Sequence, residues 1–241
     1  MSQRKRVMLR IPNAWYKILA VLIVGYTLIY GMLINLPTDV GILDETIRNL
    51  FYHVPMWFGM ILILAAAWVN SIIYLNKPTQ KRDVYATELT NVGILMGFCG
   101  LFTGMFWAYN TWGTPWTNDP KLNGVAAGMA MYLGYWLMGR SINDPEKRAR
   151  LQAVFNVFIF PLFVSLIYVM PKLAQFSIHP GSGESVNFKT YNNTNNIQHV
   201  FYPAVIGWTL LFVWIAELRA RTTLLLYNKK NEESFSKHII S

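Results

Sequence analysis

Polar and apolar positions along this chain fall into long blocks. Six mostly apolar runs, at roughly 17–36, 55–75, 84–108, 124–139, 151–171 and 203–220, are separated by polar segments. A helix needs about 20 such residues to cross the hydrocarbon core of a bilayer. The pattern therefore predicts an all-α membrane protein with six transmembrane helices. The fourth run, "GVAAGMAMYLGYWLMG", is the shortest and the richest in small residues, which suits close packing against neighbours. Pro161 falls inside the fifth run and predicts a kink whose freed carbonyl is satisfied within the bundle.

Composition agrees with this pattern. Only 14% of the 241 residues are charged, against 54% hydrophobic and 15% aromatic, whereas about 25% charged is ordinary for a soluble domain. A single domain over 1–241 accommodates all six helices, with basic ends at 1–16 and 221–241. The first apolar run is too long for the core of a signal peptide and lacks an A-x-A-like ending, so it reads as an uncleaved anchor. The lone cysteine, Cys99, offers no disulfide framework and no thiolate cluster; it reads as a small buried apolar residue.

The net charge of +9 takes its meaning from where it sits. With six spans, 17 of the 21 Lys and Arg residues lie on the side shared by both termini, and Arg48, Lys121, Lys172 and Lys189 lie on the other. The positive-inside rule then makes both termini cytoplasmic. This is a membrane distribution rather than a nucleic-acid footprint. Loops 37–54, 109–123 and 172–202 share the outer face.

Those outer loops carry the unusual residues. The stretch "NTWGTPWTNDPKLNG" (110–124) reads as a non-helical segment holding two indoles beside flexible backbone, a surface suited to something flat. His53 stands in "RNLFYHVPMW" at the entrance to the second run, with Pro55 suited to a first helical turn. Before it, Ile42, Ile47, Leu50 and Phe51 are spaced to give a short interfacial helix one apolar face. A histidine bonded at a helix start is the structural reading, yet ionisable groups at membrane depth tend to be functional. His179, in "QFSIHPGSG", and His199, in "NNIQHVFYP", read either as solvated loop histidines or as ligands, and His238 on the basic tail as solvated.

Zinc would need three or four ligands, and the outer loops hold few acids at ligand spacing. A porphyrin needs one or two axial imidazoles, flat apolar walls and cations for its propionates. Indoles supply such walls, and Arg48 and Lys121 are available cations. An aromatic belt at the membrane interface is the competing reading of the tryptophans.

In their order along the chain, "RNLFYHVP", "GMFWAYNTWGTPWTNDPKL" and "HPG" resemble the CcmC family, membrane proteins that handle haem in cytochrome c maturation. The resemblance runs from about Trp15 to Arg221. It implies that His53 and His179 are paired haem ligands. It also implies that Trp107, Trp112, Gly113, Thr114, Trp116 and Asp119 form an outer-face, tryptophan-rich presenting loop. Two tryptophans usual in the family motif are replaced by Pro115 and Asn118. The implied cargo is haem b, held transiently at the outer face of the bacterial inner membrane and passed to the haem chaperone CcmE. The implied partners are the ABC transporter CcmAB and the small membrane protein CcmD. Two alternatives remain: a haem lyase acting directly on apocytochrome c, and a permease-like subunit without a cofactor. Against the first, no predicted span contains a histidine; against the second, Glu88 and Glu217 lie near span ends.

Overall fold

A computed structural model describes residues 14–36, 41–174, 176–179 and 195–240, and no strand occurs among them. The elements are α1 (Ala14–Leu33), a 3-10 helix (Gly41–Phe51), α2 (His53–Asn76), α3 (Gln80–Trp112), α4 (Pro120–Ser141), α5 (Pro145–Val164), a π turn (Ser165–Val169), α6 (Met170–Leu173) and α7 (Asn195–Ile240). Five stretches are long and apolar enough to cross a membrane: Ala14–Leu33, Thr46–Asn76, Gln80–Trp112, Pro145–Leu173 and Ile197–Lys230. The fourth predicted span corresponds to α4, whose 22 residues extend about 33 Å. It is not among these five.

The helices outrun the apolar runs that predicted them. Residues 110–112 and 120–124, expected in a loop, are helical, so only residues 113–119 connect α3 to α4. Two histidines placed outside the spans are helical: His53 is the first residue of α2 and His199 the fifth of α7. Capping sets the limits of α3, α4 and α5. Asp119 and Asp144 each accept a backbone N–H at 2.8 Å and are each followed by proline in the first turn, so α4 and α5 start at their Asp-Pro pairs. Gly113 ends α3 in the left-handed region at φ 75°, with its N–H bonded to the Tyr109 carbonyl.

α2 lies centrally, packed on α3, α5 and α7, while α1 packs on α7 and α4 on α5 and the π turn. Along α3, Gly93, Gly97, Gly100 and Gly104 fall on one face, and their missing side chains admit Leu64, Met129, Trp57 and His53 in turn. Gly124 and Gly128 do the same on α4, where a methyl group at Gly124 would meet the Leu166 carbonyl oxygen. The small residues of the fourth run thus serve close packing, as expected. Asn156, fully buried on α5, donates to Ser71 on α2 and Thr90 on α3 at 3.0 and 3.2 Å, tying three helices with polar bonds.

The two in-helix prolines show how the bundle satisfies broken ladders. Pro161 cannot donate to the Val157 carbonyl, and Trp68 Nε1 on α2 donates to that oxygen at 3.1 Å instead. Pro203 likewise frees the His199 carbonyl, which accepts the Tyr26 hydroxyl at 3.4 Å. After Pro161 the helix continues and then widens into the π turn. Cys99 departs from expectation: it is exposed on α3 rather than buried. Glu88 and Glu217 are paired, the first with Arg219 and Thr223, the second with Lys17, Tyr16 and Arg221.

A histidine-lined cavity as candidate functional site

At one end of the bundle a cavity of about 320 Å³ opens between the 3-10 helix, α2, α3, α4 and the segment after α6. That volume lies in the range of small-molecule sites, roughly 300–1,000 Å³. Its walls are mainly apolar, and His53, Trp107, Trp112, Trp116, Lys121 and His179 all line it.

His53 is delivered by the first residue of α2 and lies against α3. Its Nδ1 is 3.0 Å from the Thr103 hydroxyl. That hydroxyl bonds the Cys99 carbonyl at 2.9 Å, which uses its only proton. The contact is therefore satisfied when Nδ1–H of the imidazole donates, and Nε2 then keeps its lone pair. Gly104 makes room for the ring, since a methyl group there would stand 2.8 Å from His53 Cε1.

His179 arrives from a segment with no regular structure, and a buried carboxylate holds that segment in place. Asp119, only 3% exposed, caps α4 through one oxygen, bonded to Lys121 N–H at 2.8 Å. Its other oxygen accepts from the Ser177 hydroxyl and the Ile178 N–H at 2.8 and 2.9 Å. The His179 N–H donates in turn to Ser177 Oγ at 3.2 Å. One carboxylate thereby fixes both the start of α4 and the strap carrying the imidazole. Desolvation by burial pushes the His179 pKa down to about 3; the Lys121 cation adds to this, Asp119 opposes it, and nearby His53 adds a little. This imidazole stays neutral at physiological pH, the state a metal requires.

The indoles cluster around His179. Trp107 and Trp112 meet edge to face at 4.8 Å between centroids and stand 6.0 and 5.7 Å from the His179 ring. Trp107 Nε1–H donates to the Thr46 carbonyl at 3.1 Å, locking α3 to the 3-10 helix. Thr114 donates to the Trp116 carbonyl at 3.0 Å and shapes the turn that Gly113 begins. Asn118 accepts from Asn123 Nδ2 at 2.7 Å, linking the turn to the first turn of α4.

Arg48 takes a different place from the one its sequence position suggests. It does not line the cavity, and its guanidinium donates to the Gly31 and Ile34 carbonyls at 2.9 and 3.0 Å, closing the C-terminal end of α1. Lys121 is the cation of the predicted pair that faces the cavity. His199 is exposed on α7 and is not among the cavity-lining residues. The His238 side chain and the stretch 180–194, with Lys189, lie outside the described residues. Three contributors escaped the sequence reading: Thr103, Gly104 and Ser177. The spacing of the four α3 glycines marks the face on which the first two lie. A serine two residues before a histidine gives no comparable signal.

The donor set fits haem: two imidazoles on one apolar cavity, indole walls beside one of them, and a lysine among the lining residues. The chain belongs to the CcmC family, described as heme exporter protein C, whose model matches residues 3–235. It is 28% identical over 187 residues to heme exporter protein C of Rhodobacter capsulatus, covering 74% of this chain and 73% of that protein. Its counterpart in Paracoccus denitrificans is 26% identical over 179 residues, with the same coverage. A putative cytochrome c biosynthesis ccmC-like mitochondrial protein of Arabidopsis thaliana is 34% identical over 123 residues, covering 47% of this chain and 46% of that protein.

Proposed function

We propose that this protein binds haem as cargo at the outer face of the bacterial inner membrane and presents it to the chaperone CcmE, working with CcmAB and CcmD. In this reading all six long helices span the membrane, with both termini cytoplasmic. The observation that carries it is the convergence of His53, His179 and three tryptophans on a single cavity. Family membership supports haem handling in cytochrome c maturation.

His53 and His179 would hold the haem iron, each through a neutral imidazole. Thr103 orients the first by taking its Nδ1 hydrogen, and Asp119 and Ser177 orient the second through backbone and hydroxyl bonds. Such outer bonds set ligand direction and basicity. Trp107, Trp112 and Trp116 would supply flat apolar walls to a porphyrin, and Lys121 would meet a propionate. Gly113, Thr114 and Asp119 shape the presenting turn rather than touching the ring. Arg48 contributes indirectly, by holding α1 against the 3-10 helix. The task is to hold and release, so the protein makes and breaks no covalent bond of the cargo.

Transfer tests the reading. Haem-loaded protein mixed with apo-CcmE in the presence of CcmAB and CcmD should lose its haem absorption as covalent haem accumulates on the chaperone. Haem that attaches to apocytochrome c with no chaperone present would instead favour a lyase.

A further inference from the structure

A second cavity, of about 220 Å³, lies at the opposite end of the bundle between α3, α4, α5 and α7. The two cavities share α3: residues 83–91 line this one and residues 100–112 the first. Glu88 and Gly104, one in each, stand about 24 Å apart along the helix. Haem bound at the histidines therefore does not reach it.

The lining carries three arginines, Arg140, Arg148 and Arg219, against two carboxylates, Asp83 and Glu88. Two of the arginines are paired. Arg219 Nε donates to Glu88 at 2.7 Å, and Arg148 donates to Asp83 at 3.3 Å and to the Tyr227 hydroxyl at 3.1 Å. The third is not: Arg140 has no acidic partner among the described residues, and its guanidinium lies over the Trp136 ring at 4.1 Å. In addition, Arg148 Nε is buried with no hydrogen-bond acceptor. A buried charged donor left unmatched is costly. One excess positive charge thus lines this space, and the orphaned N–H belongs to Arg148, which lines it too.

Guanidinium groups recognise oxyanions through paired N–H donors. Arg140 is also exposed, near the end of α4, and is stacked on a tryptophan, a pairing suited to the headgroup level of a membrane. We propose that this cavity binds the phosphate of an anionic phospholipid, with the guanidinium groups of Arg140 and Arg148 as its donors. Basic pockets between membrane helices are suited to such headgroups. The bound lipid bridges α4 to α5.

The test uses the full-length protein in neutral detergent, examined by native mass spectrometry with phosphatidylglycerol or phosphatidylcholine added. Wild type should retain one phosphatidylglycerol at least tenfold better than phosphatidylcholine. Arg140→Gln should lose that preference while keeping wild-type haem absorption. Arg148→Lys, which keeps the charge but removes the planar guanidinium fork, should weaken retention as well. Equal retention of the two lipids by wild type, or full retention of phosphatidylglycerol by both variants, overturns the site. Thermal stabilisation by inorganic phosphate that Arg140→Gln abolishes, with no retained lipid, would overturn the lipid as its source.

Discussion

Replacing Asp119 by alanine perturbs two structures at once, and the size of each effect follows from its bonds. Loss of the α4 cap costs about 1 kcal/mol. Loss of the bonds to Ser177 and Ile178 removes two hydrogen bonds to a charged acceptor, each contributing about 1.5–3 kcal/mol. Relaxation of the freed donors toward water returns part of this, leaving the His179 strap less securely docked by about 3 kcal/mol. Apparent affinity scales with the fraction of protein in the binding-competent state, and about 1.4 kcal/mol is tenfold. Haem affinity should therefore fall by as much as about a hundredfold. The assay is a haemin titration of purified apoprotein followed by visible absorption. Helical content and melting temperature, measured alongside, separate the cap from the strap. Asp119→Asn retains one acceptor oxygen and should fall between. Ser177→Ala should cost less than Asp119→Ala, and the double variant little more than Asp119→Ala alone, because the two act through one network. Wild-type haem affinity and spectrum in Asp119→Ala would refute the role assigned to the carboxylate.

Two other expectations follow from the same geometry. Trp68→Phe leaves the Val157 carbonyl without the donor that Pro161 obliges it to find, so detergent-solubilised protein should lose about 1–3 kcal/mol of stability, read as a lower melting temperature; an unchanged melt contradicts the assignment. The His179 pKa lies at about 3 in the folded chain against 6.5 for an ordinary histidine. The unfolded chain therefore takes up a proton first as pH falls. The stability this imidazole contributes is whole above about pH 6.5 and is lost progressively from there toward pH 3. Between pH 6.5 and 5 the apoprotein should lose more stability than His179→Gln, measured as melting temperature against pH; parallel curves would contradict a buried neutral imidazole.

Much of the fold could be read from block hydropathy, because every residue facing hydrocarbon must be apolar whatever its neighbours are. Helix ends were less legible. Polarity predicts a loop over Trp112 and the start of α4, whereas Asp119, Pro120 and Gly113 set the true limits. Within the site, residue types signalled six of the side chains that line the cavity, whereas Arg48, Gly113, Thr114 and Asp119, expected with them, do not line it. Asp119 reads from sequence as part of a presenting loop, and the fold adds that it is a buried fastening for the His179 segment. Arg48 looked like a free cation, and its guanidinium is engaged by α1 carbonyls that only the folded chain brings near. Cys99 looked buried because its neighbours are apolar, but in a membrane-type bundle apolar residues face outward as readily as inward.

The central claim is that one haem iron sits between His53 and His179. The most direct measurement is the visible absorption spectrum of the protein purified from haem-sufficient cells, compared with His53→Ala and His179→Ala. The account predicts a low-spin, two-imidazole spectrum in wild type that is lost or strongly shifted in each single variant. A wild-type spectrum in both variants would contradict it.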